Sequence, residues 1–208
     1  MRWAGLIKKT LAAQERKEPE RHAFREVIAQ LDVHHVVVVD ESATHMGMIP
    51  AYGRAPRGQR RWGTKRRNCG KNMSLVAALT VHGMGPAMTL EGAMDATAFE
   101  TYLQQCLLPA LHPGHIVILD NLSSHKGAQV ERLIESRGCR VLFLPAYSPD
   151  LSPIEEAFSK IKALLKRAAA DTVDALLDAT AAALQAISSS DALGYFRHAG
   201  FTVSAQSL

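Results

Sequence analysis

The chain has 208 residues, 47% apolar and 21% charged, which is enough to bury a core and excludes collagen, coiled-coil and wholly disordered chains. It contains no run of eighteen apolar residues, so no spanning helix is expected, and Met1 to Thr10 lacks the apolar stretch of a secretion signal, which points to the cytoplasm. The formal net charge is +4, and three cysteines (Cys69, Cys106, Cys139) without a CxxC pair argue against a disulfide framework or a cysteine zinc site.

Residues 1–32 read as a polar helical extension in which Pro19 separates two short helices. Phe24, Val27, Ile28 and Leu31 follow helical spacing, so the second helix should pack on something. His35 to Asp40 (HVVVVD) is a β-branched run ending in an acid and predicts a buried central strand. Residues 48–52 and 59–62 offer weak hairpin arms. Residues 72–82 and 86–91 flank Gly83-Met84-Gly85 and predict a hairpin turning at those glycines. A helix is expected over 97–108, capped by Thr97 or Asp95 and bracketed at its end by Pro109 and Pro113. His115 to Asp120 (HIVILD) repeats the design of the first strand and again ends in aspartate.

Lys126 to Arg137 predicts an amphipathic helix stopped by Gly138, and Arg140 to Leu144 a third short strand. The following PAYSPDLSP is a loop by its proline and serine content. Pro153 to Ala169 predicts a helix with Ile154, Ala157, Phe158, Ile161, Leu164 and Leu165 on one face. Val173 to Ile187 is a further, alanine-rich helix; Ser188 to Asp191 breaks it, and Leu193 to Phe201 adds a last turn. The order predicts an α/β fold around a sheet that is part antiparallel and part parallel. Its boundaries are an extension at 1–32, a domain at 33–200 and a frayed tail at 201–208.

The charge is concentrated. Residues 54–71 carry Arg54, Arg57, Arg60, Arg61, Lys65, Arg66, Arg67 and Lys71 with no acid, so the rest of the chain is net negative. Such a segment must face water or a polyanion. Its bland reading is a solvated loop. Its arginine content suits bidentate phosphate contact, and Trp62 among Gly58, Gly63 and Gly70 offers an aromatic for base stacking.

Two acids end strands of similar design, Asp40 and Asp120. Ligands bind at such strand ends in α/β folds, although aspartate is also a common turn former there. Two neighbouring carboxylates ionise together only with a cation between them, and magnesium prefers such oxygen ligands. The nine histidines show no HxxxH or HxH pattern and offer no rival metal site. A third acid is needed, and Glu155 leads, with Glu156 and Asp150 as further candidates. Glu156 lies about 100° round the helix from Glu155, so both cannot address one metal equally. Ser152, Pro153 and Glu155 also satisfy a capping box, which accounts for Glu155 without any chemistry.

Four motifs carry a resemblance: VVVVDES, YGRAPRG, DNLSSHK and LPAYSPDLSPIE. Together they resemble the DDE transposases of bacterial insertion sequences in the mariner superfamily. The last motif is the most specific, and the 34 residues between Asp120 and Glu155 match that superfamily's spacing. The resemblance covers residues 33 to 200. It implies an RNase H-like fold with a mixed central sheet flanked by helices. It implies Asp40, Asp120 and Glu155 as catalytic residues and metal ligands for two Mg²⁺ ions, with Mn²⁺ as a substitute.

The implied activity is endonuclease and strand-transfer chemistry, a phosphoryl transfer on DNA at transposon ends and target sites. One ion activates a water or a DNA 3′-hydroxyl and the other stabilises the leaving oxygen. Asn121 and His125 follow the second acid in the family pattern and are expected to orient it or contact DNA. A homodimer when acting and a cytoplasmic, nucleoid-associated location in a bacterium are further implications. Family members usually carry an N-terminal helix-turn-helix region, and residues 8 to 31 resemble only the helical segment that follows it. The expectation is a truncation or the second of two reading frames. A second reading is therefore an inactive relic or regulator that binds DNA or full-length transposase. A general RNase H-like nuclease shares the acids but not YSPDL.

Overall fold

The valine run at 36–39 forms the middle of a five-stranded sheet. In the computed structural model, residues 13–64, 70–120 and 128–203 are described. The strands are β1 (Val36–Thr44), β2 (Met73–Thr80), β3 (Gly83–Glu91), β4 (Ile116–Leu119) and β5 (Arg140–Phe143), in the spatial order β3-β2-β1-β4-β5. The first three pair antiparallel, and β1, β4 and β5 pair parallel. This is the mixed sheet expected from the order of elements.

Alternation along β1 feeds two cores. Val36 and Val38 face one core with helices α1 (Glu18–Ile28), α5 (Pro153–Ala168), α6 (Val173–Gln185) and α7 (Ser189–His198). Val37 and Val39 face the other with α2 (Ala96–Tyr102), α3 (Leu108–Ala110) and α4 (Ala128–Glu135). On α5 the predicted apolar face is buried at Ile154, Ala157, Phe158, Ile161 and Leu165, with Leu164 partly covered. None of the described helices is long and apolar enough to cross a membrane.

Several local expectations are corrected. β1 does not end at Asp40; Glu41 to Thr44 continue to pair with β2, because that antiparallel partner runs on past the point where β4 stops. The β2–β3 turn lies at Val81 and His82, and Gly83 already belongs to β3, pairing with Thr80. Gly83 has φ 120, and a Cβ there would stand 2.9 Å from the Ile187 carbonyl oxygen, so both the turn and the close approach require glycine. Residues 48–52 and 59–62 form no strand, and everything from 51 to 64 is exposed. Asp95, not Thr97, caps α2, accepting from the Ala98 N–H at 2.8 Å. Pro109 lies inside α3 instead of ending the helix, which reaches it through a π-helical turn at Leu103–Leu107.

Ser188 and Asp191 break α6 but also form a capping box that starts α7, a full ten-residue helix. Phe201 is buried, and the Thr202 hydroxyl donates to the Ala29 carbonyl at 2.9 Å, so these residues are tied down, not frayed. α1 is likewise part of the core, with Arg21, Phe24 and Ile28 buried. Pro19 lies in the first turn of α1 and does not separate two helices there, and residues 13–17 form no helix; residues 1–12, residues 126 and 127 of the predicted fourth helix, and the tail from 204 lie outside the described residues.

Candidate active site

Parallel pairing places the first two acids side by side. Val39 pairs with Leu119, so the next residues, Asp40 and Asp120, come level on strands about 4.8 Å apart. β4 ends at Leu119, leaving Asp120 just beyond the strand, whereas Asp40 is 9% exposed within β1. One Asp40 carboxylate oxygen accepts the Glu41 backbone N–H at 2.7 Å, which helps to fix its orientation.

The third acid arrives from the loop after β5. That loop passes through Tyr147, a non-glycine residue at φ 55, and a 3₁₀ turn at Pro149–Leu151 before α5 begins. Tyr147 is exposed, and the Ser148 hydroxyl donates to the Ala146 carbonyl at 3.1 Å. Ser152 occupies the N-cap of α5 but makes no side-chain cap, and its buried Oγ has no partner among the described residues. The capping-box alternative for Glu155 is therefore not formed, and the Glu155 side chain stays exposed at the helix start.

Asp40, Asp120 and Glu155 line one cleft of about 520 Å³ together with Glu41, Ser152 and residues 144–149. The lining holds four carboxylates and no histidine or cysteine, a donor set that suits a hard divalent cation and not a soft one. Among the described residues, no group of three or more His, Cys, Asp and Glu already stands placed to hold a metal ion.

The other two acids are engaged elsewhere. Asp150 binds the Arg21 guanidinium at 3.0 and 2.6 Å, and that hydrogen bonding holds its carboxyl below the usual aspartate range. Glu156 meets the His198 Nδ1, which raises the imidazole's affinity for a proton. Glu41, by contrast, is not singled out by sequence reasoning and lies in the cleft. Arg21 is not singled out either. A signal for it exists, since it stands at i−3 to Phe24 and i−7 to Ile28, a charge on an apolar face.

Arg54, Arg57, Arg60 and Arg61 lie on the exposed stretch after β1, and the Arg60 guanidinium sits 5.7 Å over the Trp62 ring, itself 79% exposed. Tyr52 is exposed there too. Lys71 pairs with Glu91 at 2.5 Å, so its charge is compensated locally. Lys65, Arg66, Arg67, Asn121 and His125 lie outside the described residues.

Residues 35–177 match the family model described as DDE superfamily endonuclease. The Tc1 transposable-element transposase of Caenorhabditis elegans is 27% identical over 110 residues, 51% of this chain and 40% of that protein. Among solved structures, a pre-cleavage Mos1 transpososome superposes with a TM-score of 0.73 at 21% identity, covering 94% of this chain and 63% of that one. The Mos1 transposase catalytic domain with Raltegravir and Mg gives 0.72 at 20% identity, covering 91% and 92%. The fold is thus the RNase H-like one of these domains. The chain spans about two fifths of the length of the curated relative.

Proposed function

Because this chain belongs to the DDE superfamily endonucleases, we propose that it is the catalytic part of a transposase. It cleaves DNA strands at transposon ends and transfers them to target DNA. Asp40, Asp120 and Glu155 are its metal ligands. The observation that carries this reading is their convergence: acids from two separate strands and a helix start line a single cleft. The Mos1 catalytic domain solved with Mg supports a divalent cation as the partner of these acids, Mg²⁺ or Mn²⁺.

Two such cations in a carboxylate site supply Lewis-acid stabilisation of the attacking and leaving oxygens of an in-line displacement. The protein's own contribution is positional. Asp40, held by the strand and by the Glu41 N–H, presents a fixed carboxylate from the sheet. Asp120 stands beside it at the end of the neighbouring strand, and Glu155 closes the cleft from α5. None of the three attacks phosphorus, so no covalent protein–DNA species forms. The exposed arginines 54, 57, 60 and 61 bind the DNA backbone. The motifs support membership of the bacterial insertion-sequence branch, with the protein acting on nucleoid DNA as a homodimer that holds two ends.

The test is strand transfer of a pre-cleaved transposon end in Mg²⁺ or Mn²⁺. The wild-type chain should join the end to a target duplex, and Asp120→Ala should abolish joining. Metal-independent activity, or activity that survives Asp120→Ala, overturns the reading.

A further inference from the structure

Arg21 is among the largest fully buried side chains of the protein, at 0% exposure, and it is charged. A buried guanidinium is tolerated only when its charge is matched; the buried Nε of Arg21 makes no hydrogen bond among the described residues, and the charge is met at the other end of the group. Its match is Asp150, 129 residues away, through a two-pronged contact of 3.0 Å from Nη1 and 2.6 Å from Nη2. Glu18 stands 3.6 Å from its Nε, and Arg25 adds a longer contact of 3.7 Å to Asp150. Two parallel bonds to a carboxylate fix orientation as well as distance.

Asp150 is the middle residue of the Pro149–Leu151 turn. On either side of it, Ser148, Pro149 and Ser152 line the cleft that holds Glu155. Backbone bonds continue the connection: Leu151 N–H to Ser148 carbonyl at 3.0 Å, Ser152 N–H to Pro149 carbonyl at 3.0 Å, and Glu155 N–H to Ser152 carbonyl at 3.3 Å. α5 lacks the side-chain cap that would otherwise anchor its first turn. α1 itself is seated by Phe24 and Ile28 in the same core as Ile154 and Phe158.

We propose that Arg21 is a positioning residue, which clamps the Asp150 turn through its two-pronged bond and thereby sets where Glu155 stands in the cleft. This rests on the reading of Glu155 as a metal ligand. The clamp makes α1 part of the catalytic apparatus, although it contributes no group to the cleft. Displacement of α1 would move the third carboxylate away from the other two.

The test compares the full chain with Arg21→Met, Arg21→Lys, Asp150→Asn and the double variant Arg21→Met/Asp150→Asn. Two quantities are read: Mn²⁺-dependent nicking of supercoiled plasmid, and the Mn²⁺ concentration giving half of the metal-induced rise in Tm. Asp150→Asn is isosteric and half-exposed, so it keeps the measurement available if Arg21→Met does not fold. Arg21→Met and Asp150→Asn should each lower kcat by about tenfold, as for a displaced catalytic group, and raise the Mn²⁺ midpoint. KM for DNA should stay within about twofold. The double variant should be no worse than the worse single one, and Arg21→Lys should recover part of the loss. A folded Asp150→Asn with wild-type kcat and Mn²⁺ midpoint overturns the proposal, as do losses that multiply in the double variant. If instead Glu155→Gln leaves the Mn²⁺ response and nicking intact, or the wild type has neither, the metal-ligand reading itself fails and takes this inference with it.

Discussion

Ser152 stands at the N-cap of α5 without capping it, and Glu155, three residues on, keeps its side chain in the cleft instead of reaching back. A backbone bond joins them, Glu155 N–H to Ser152 carbonyl at 3.3 Å. A reciprocal box would hold the carboxylate against the backbone. Its absence leaves the carboxylate available to a ligand in the cleft.

Replacing Ser152 should therefore cost little. Its hydroxyl is buried without a partner, so Ser152→Ala should change stability by less than about 0.5 kcal/mol. Thr172 gives the contrast, because its hydroxyl oxygen accepts the Ala175 N–H at 3.2 Å and caps α6. Thr172→Ala should cost about 1 kcal/mol. Urea unfolding of both variants checks the pair, and a larger loss at Ser152 would mean that the box forms in solution.

The arginines after β1 predict a salt signature. Changing Arg54, Arg57, Arg60 and Arg61 together to alanine should flatten the dependence of log affinity on log salt by about 0.9 for each phosphate no longer neutralised. Lys71→Ala should leave the slope near that of wild type, because Glu91 already neutralises that ammonium. Fluorescence anisotropy with a duplex at several NaCl concentrations measures both. An unchanged slope in the fourfold variant would return the segment to a solvated loop.

Asp191 predicts a pH effect. Its carboxylate accepts from Lys160 at 2.7 Å and from the Ser188 hydroxyl and N–H at 2.7 and 2.9 Å, which lowers its pKa from 3.8 to about 2. A depressed folded-state pKa stabilises the fold above the unfolded value, and the benefit disappears as pH falls through the folded one. Asp191→Ala should thus lose about 1 kcal/mol at neutral pH, as for a broken helix cap. The gap from wild type should hold down to about pH 4 and close towards pH 2. A gap that stays constant through that range in a thermal melt series would contradict the assignment.

The main elements were legible because they rest on local patterns. HVVVVD and HIVILD are short apolar runs whose β-branched content favours buried strands, and the apolar face of α5 repeats at helical spacing. SPDLSPIE marked both a turn and a helix start, and the family resemblance, through the spacing of Asp120 and Glu155, implied the acids that the structure brings to one cleft. Pattern also marked the basic segment as polar and exposed, which holds for residues 54–64, although it misread the weak strands at 48–52 and 59–62.

What the sequence determined on its own was the alphabet of elements, the two strand acids and the basic segment, since each depends on residues within a few positions of one another. Tertiary structure decided the rest. β1 runs past Asp40 only because β2 continues beside it, and Ser152 makes no side-chain cap although its spacing to Glu155 fits a capping box. Asp150 stood as a further candidate beside the leading Glu155 until folding brought Arg21 to it across 129 residues. A carboxylate's role is set by the charge it meets, and that partner is chosen by the packing of α1 against the core, which local sequence does not encode.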